Sequence, residues 1–105
     1  MSVVVVATIT PSEGNRDEVR QILLDAVPLV HEEPGCELYS LHQDGERFVM
    51  IEKWESAEAL DTHSNGQVLA DAGRALAGKL AGKLDVRALS AVPAGDPAKG
   101  ALQGH

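Results

Sequence analysis

A single cysteine, Cys36, stands among 105 residues, so no disulfide can form within the chain. That fits a reducing, cytoplasmic compartment, and the thiol's place in an apolar run makes an inert buried side chain the ordinary reading. Basic side chains are scarce, nine against sixteen acidic ones, for a formal charge of −7. A surface of that sign repels phosphate backbones and anionic lipid, which argues against nucleic-acid and membrane partners. Long hydrophobic runs are missing as well. The stretch Val3 to Ala7 is far too short for a signal-peptide hydrophobic region or a membrane span, and no basic residue precedes it. The four His and the Glu32-Glu33 pair show neither HExxH nor Cys/His spacing, so no metal site is expected. Gly73-Arg-Ala-Leu-Ala-Gly78-Lys79 mimics a phosphate-binding loop, but Leu80 replaces the required Ser or Thr and the segment falls inside a helical stripe.

What is present organises into one small domain over residues 1–92, followed by a Gly, Pro and Ala rich tail, Pro93 to His105, without apolar periodicity. Val3 to Thr10 is β-branched almost throughout and reads as a strand stopped by Pro11. Asn15-Arg-Asp-Glu18 offers a capping box, and Val19, Ile22, Leu23, Ala26, Val27 and Val30 recur at helical spacing. Pro28 removes an amide donor, so a kink is expected there, and Pro34-Gly35 ends the helix. Cys36 to Gln43 and Arg47 to Glu55 flank Asp44-Gly45, which suits a two-residue hairpin turn. That turn sets Tyr39 opposite Met50 and Glu37 opposite Glu52. Two facing carboxylates are costly if buried, so Glu37 reaches solvent or a bulge shifts the register.

Ser56 can cap a short helix ending at His63 or Ser64, and Asn65-Gly66 breaks it. Val68, Leu69, Ala72, Leu76 and Leu80 continue a second stripe, which the echo of Ala77-Gly-Lys-Leu80 in Ala81-Gly-Lys-Leu84 suits. Leu84 to Val92 is the last strand. The order βαββαβ predicts an α+β, ferredoxin-like fold, an antiparallel sheet with both helices on one face. Leu38, Val49 and Ile51 would then face water on the other side, so a homodimer joined sheet to sheet is the economical solution, with the tail free to lie across the partner subunit.

Alternation with period two puts Phe48, Met50, Glu52 and Trp54 on one face, joined by Tyr39 and Leu41. His63 follows Leu60 and Ala59 by three and four residues and so falls on or beside the buried helical stripe. It is either a satisfied packing histidine or a general base at a cavity, since imidazole titrates near neutral pH. Trp54 is either a core anchor or an indole that stacks on a planar substrate.

The combination of Glu32-x-Pro34-Gly35-Cys36-x-x-Tyr39-x-Leu41, Phe48-x-x-x-Glu52-x-Trp54 and Ala59-Leu60-x-x-His63 resembles the antibiotic biosynthesis monooxygenase family over residues 3 to 92. The resemblance implies face-to-face dimers forming an α+β barrel, and in one oxygenase subgroup a cavity lined by a Trp and by an Arg twenty residues later. Trp54 and Arg74 match those two positions. Met50 and Leu60 stand where that subgroup has Asn and Tyr. Haem-degrading relatives carry a Trp at the position of His63 and a haem-ligating His at that of Gly73, so haem is disfavoured. Isomerase-like relatives share Glu52 and His63 but have an additional His near Gln67.

The resulting expectation is a cofactor-independent monooxygenase acting with O₂ on a small phenol, hydroquinone or polycyclic aromatic. His63 would be the base, Arg74 the charge stabiliser, and Trp54, Tyr39, Met50, Leu60 and Glu52 the substrate surroundings. An isomerase of a small ketone or aldehyde, and a non-catalytic dimeric ligand-binding or stress-response module, are the alternatives.

Overall fold

A computed structural model describes residues 2–104. Strand β1 (Val3–Ile9) is followed by helix α1 (Arg16–His31), then the hairpin β2 (Cys36–Asp44) and β3 (Arg47–Trp54). Helices α2 (Ala57–Ser64) and α3 (Gln67–Leu76) come next, and β4 (Asp85–Leu89) closes the chain's regular structure. The strands form one antiparallel sheet in the order β2-β3-β1-β4. This is the expected α+β ferredoxin-like topology, with the second helical unit split in two at Asn65-Gly66.

The hairpin turns one residue later than the sequence suggested. Asp44 pairs with Arg47, which leaves Gly45-Glu46 at the tip, and Gly45 has a φ of 59°. Tyr39 therefore lies opposite Glu52, and Leu41 opposite Met50. Moving a turn by one residue displaces each cross-strand partner by two, so every side chain keeps its face. The facing carboxylates do not form. A bulge between Cys36 and Leu38 takes Glu37 out of the ladder, and its carboxylate accepts a hydrogen bond from the Ser2 hydroxyl.

Two helix signals were read differently by the fold. Asn15 makes no side-chain cap; its amide donates to Ser12 Oγ instead, at 2.7 Å. Helix α3 stops at Leu76, short of Leu80, and the Ala77-Gly-Lys echo forms no helix face. Gly78 takes a φ of 79°, and the chain then pairs with the segment after β1 through Ser12 N–H to the Lys79 carbonyl and Ala81 N–H to the Thr10 carbonyl. Backbone partners supplied by the end of β1 outcompete a further helical turn containing glycine. Ser56 does cap α2, its Oγ accepting from Ala59 N–H at 3.1 Å. Helix α1 runs through Pro28 to His31.

The parity of β3 holds: Phe48, Met50, Glu52 and Trp54 are buried while Val49, Ile51 and Lys53 between them are half-buried. Val5, Ala7 and Ile9 of β1 stand opposite Glu52, Met50 and Phe48 and complete the inner layer. Val19, Leu23 and Val30 of α1 and Leu76 of α3 cover it. β4 is exposed along its whole length, so this layer is open at one edge. On the outer face the chain's end comes back over β2 and β3. Lys53 Nζ donates to the Leu102 carbonyl at 3.1 Å, and Gly104 sits so close to Glu37 and Leu38 that a β-carbon on it would stand 2.6 Å from the Glu37 carbonyl oxygen.

Gly35 positions the α1–β2 connection. Its φ is 81°, its carbonyl accepts from Glu55 N–H at 2.9 Å, and a β-carbon there would stand 2.5 Å from that of Ala59. Gly35→Ala is expected to cost about 2–4 kcal/mol, summing a left-handed backbone penalty and overpacking. Urea unfolding measures it; a loss below about 0.5 kcal/mol would show that α2 yields freely at this contact.

Candidate active site

Two polar side chains are buried in the apolar layer, Glu52 and His63. An unpaired carboxylate there would cost several kcal/mol, about as much as two or three of the surrounding apolar side chains contribute by burial. Their partners therefore decide whether the layer is tenable. Glu52 Oε1 accepts from Trp54 Nε1–H at 2.9 Å, a bond that period-two alternation makes possible by placing both side chains on one face. The Trp54 ring stacks on the imidazole of His63, centroids 4.4 Å apart at 28°, and Tyr39 meets the same imidazole edge-on at 5.6 Å.

His63 occupies the last turn of α2, where the helix dipole favours a cation. Its Nδ1 lies 2.6 Å from Glu33 Oε1 and its Nε2 lies 3.9 Å from Glu52 Oε1. A carboxylate only accepts, so the short contact puts the ring proton on Nδ1 and leaves Nε2 with a free lone pair in the neutral imidazole. Glu33 was not singled out in the sequence, where it figured only in an acidic pair without metal spacing. What places it is the turn at Gly35, which folds the end of α1 against α2. The Glu-x-Pro-Gly run carried that signal, but nothing local connects it with a His thirty positions on.

The electrostatics follow from burial. Glu52 is raised above the ordinary carboxylate range by desolvation, an effect that the Trp54 hydrogen bond and His63 partly offset and that Glu33 adds to. Tyr39 is pushed far up by burial and then by Glu52 and Glu33, so it is a phenol at neutral pH. Burial, then Glu33 and Glu52, also push the Cys36 thiol up, which disfavours the reactive thiolate. Among the described residues no three His, Cys, Asp or Glu side chains converge as a metal site.

A cavity of about 190 Å³ opens between the inner sheet face and helices α1 and α3. Tyr39, Met50, Glu52, Leu60 and His63 line it, together with apolar side chains of β1, α1 and α3 and with Leu84 and Val86 beside the exposed strand. Five of the seven residues anticipated from the sequence thus share one wall. Trp54 is behind that wall, bonded to Glu52 and stacked on His63. Arg74 is elsewhere: its side chain is 69% exposed and paired with Asp71 one turn earlier on α3, while Gly73 and Leu76 face the cavity. Among the described residues no Lys or Arg lines the cavity.

Residues 2–75 match the antibiotic biosynthesis monooxygenase family, and the chain belongs to it. Solved structures of the same fold include PA3566 from Pseudomonas aeruginosa, 29% identical with a TM-score of 0.80 over 87% of this chain and 94% of that one. Another, described as an antibiotic biosynthesis monooxygenase, is 26% identical with a TM-score of 0.80, covering 87% of this chain and 99% of its own. Rv0793 from Mycobacterium tuberculosis, 23% identical, matches with a TM-score of 0.84 over 91% of this chain and 100% of that one, a likeness of fold. No curated protein matches. No helix among the described residues is long and apolar enough to cross a membrane.

Because the folded chain holds Glu52 above its ordinary range, the native state binds more protons than the unfolded chain between the two values. Stability accordingly falls as pH rises through that window. Glu52→Gln keeps an acceptor for Trp54 and cannot ionise. It is expected to unfold at higher urea than wild type near pH 8 and to converge with it near pH 4. Parallel stability curves would show that Glu52 is not the group being desolvated.

Proposed function

We propose that the chain is a monooxygenase that oxidises a single-ring phenol or hydroquinone with O₂, with His63 Nε2 as the base. The observation that carries this reading is the free Nε2 lone pair beside Glu52 on the wall of a largely apolar cavity. The size sets the ring count. A dry cavity of about 150 Å³ holds benzene, so about 190 Å³ suits one substituted ring better than a polycyclic one. The charge sets the functional group. A wall with Glu52, with Glu33 behind it and without Lys or Arg, disfavours carboxylates and phosphates and suits a neutral O–H donor.

The chemistry balances without an external reductant. The substrate O–H bond breaks, its proton goes to Nε2, and the resulting anion passes an electron to O₂. Carbon–oxygen bond formation and loss of water then convert hydroquinone plus O₂ into a hydroxyquinone plus H₂O. Charge developing on oxygen is countered by the imidazolium, since Arg74 lies outside the lining. Tyr39, held as a phenol, can donate to a substrate oxygen.

The closeness of Glu52 to Nε2 also favours a second reading, proton shuttling on a small ketone or aldehyde by an isomerase, which needs an acid and a base but no oxygen. A panel of hydroquinones, phenols and small ketones and aldehydes under air and under nitrogen separates the two. Purified protein without added flavin, haem or metal should consume O₂, and His63→Ala should slow uptake by about a hundredfold or more. Arg74→Ala should stay within about twofold, as for an exposed surface residue. Isomerisation under nitrogen would replace the oxidation with the second reading; tight aromatic binding without turnover of any kind would make the chain a ligand-binding module.

The outer sheet face supports a homodimer in the same reading, because Val6, Val49 and Ile51 remain only half-buried there. A sheet-to-sheet contact of the standard size, about 1,600 Å², would cover them. Sedimentation equilibrium at micromolar concentration should give twice the 11.1 kDa chain mass. A species at the chain mass alone would sink the dimer.

A further inference from the structure

We propose that Glu33 is the positioning residue of this site: it fixes His63 in the tautomer whose free nitrogen faces the cavity and balances the charge when that nitrogen takes a proton. The proposal rests on the reading of His63 as the base. Three side chains stand in a row, Glu33, His63 and Glu52, joined by 2.6 Å at Nδ1 and separated by 3.9 Å at Nε2. Their side chains are 18%, 4% and 6% exposed respectively. The imidazole is thus held between two carboxylates, but only Glu33 bonds to it. Glu52 is already engaged by Trp54.

The helix termini reinforce the polarity of that pair. His63 lies in the last turn of α2, and the cap of α3 is Gly66, whose added β-carbon would lie 3.5 Å from Glu33 Oε2. Glu33 therefore sits at the start of α3, where a negative charge is favoured, and His63 at the end of α2, where a positive one is. Each helix end thus favours the charge of the side chain beside it.

Proton accounting separates this role from that of a proton exit. The proton that Nε2 removes from the substrate returns to oxygen as water forms, because hydroquinone plus O₂ and hydroxyquinone plus H₂O contain the same atoms. No net proton crosses to solvent in a turnover. Glu33 accordingly holds its hydrogen bond throughout and does not carry protons away. It also lies outside the cavity lining, so substrate affinity is not expected to depend on it.

The test uses the full chain and three variants. Two-bond ¹H–¹⁵N correlation spectra, with the His63 signals assigned by their loss in His63→Gln, report which ring nitrogen carries the proton. Wild type should show Nδ1–H in the neutral ring, and Glu33→Ala should move the proton toward Nε2. Glu33→Gln retains an acceptor but removes the charge, and it should lower kcat for hydroquinone oxidation about tenfold or more with KM within about twofold. An Nδ1–H tautomer undisturbed in Glu33→Ala overturns the proposal whatever the substrate, and so does an unchanged kcat in Glu33→Gln. Absence of oxygen uptake in wild type, with the tautomer change present in Glu33→Ala, instead sinks the oxidation reading and leaves Glu33 as the group that sets His63.

Discussion

The bond from Trp54 Nε1–H to Glu52 is the constraint on which the inner face depends. A carboxylate and an imidazole stand in a layer otherwise made of Val, Ala, Ile, Leu, Met, Phe, Tyr and Trp, and every partner they have comes from a different local decision. The indole shares a strand face with Glu52 through alternation. Glu33 arrives through the left-handed turn at Gly35, and His63 through a short helix that Ser56 caps. Removing one partner leaves a buried charge or an orphaned donor, which costs more than the bond itself contributes. Such a network is expensive to maintain, and its position on a cavity wall gives it a use that packing alone would not.

The sequence showed the inner face because periodicity is indifferent to small errors of register. The hairpin turns at Gly45-Glu46, one residue past the expected site, yet Tyr39, Met50, Glu52 and Trp54 kept their faces, since a strand partner shifts by two for each residue the turn moves. Helix limits were less legible. Asn15 had an alternative partner in Ser12, and the Ala-Gly-Lys-Leu echo had backbone partners at residues 10 and 12 that no helical pattern reveals. Glu33 and Arg74 show the same difficulty for the site. Spacing along α3 places Arg74 only to within a turn, and one position decides between the cavity, where Gly73 stands, and the surface, where Arg74 pairs with Asp71. The contact of Glu33 with His63 spans two loops, so it exists only in three dimensions.

The outer face poses a different physical question. Its half-buried valines and Ile51 are less apolar in sum than the inner layer, and the chain's end already meets part of it through the Lys53 bond to the Leu102 carbonyl. A partner sheet and this segment compete for the same ground around Leu38 and Lys53. Association therefore requires the segment to shift, to be sandwiched, or to exchange between subunits, and the contact it gives up is one exposed hydrogen bond and a close backbone approach, a small loss beside the apolar area gained.

In the proposed oxidation, the shortage of positive charge would shape the reaction more than any single residue does. In a site without Arg or Lys, an anion formed from the substrate meets Glu52 as a neighbour of like sign, and only the imidazolium counters it. Such an anion is held less firmly than one clamped by a guanidinium. For a reaction with O₂ that would be an advantage, because an electron leaves a weakly stabilised phenolate more readily than a strongly stabilised one, and an apolar lining accepts O₂ readily. In that reading the raised protonation of Glu52 is consequential: as a neutral carboxyl it would donate to the substrate oxygen, and as a carboxylate it would repel it. The proposed chemistry then depends on an imidazole placed between a buried Glu52 and a partly exposed Glu33, and Glu33, by bonding to Nδ1, would leave Glu52 free to respond to the substrate.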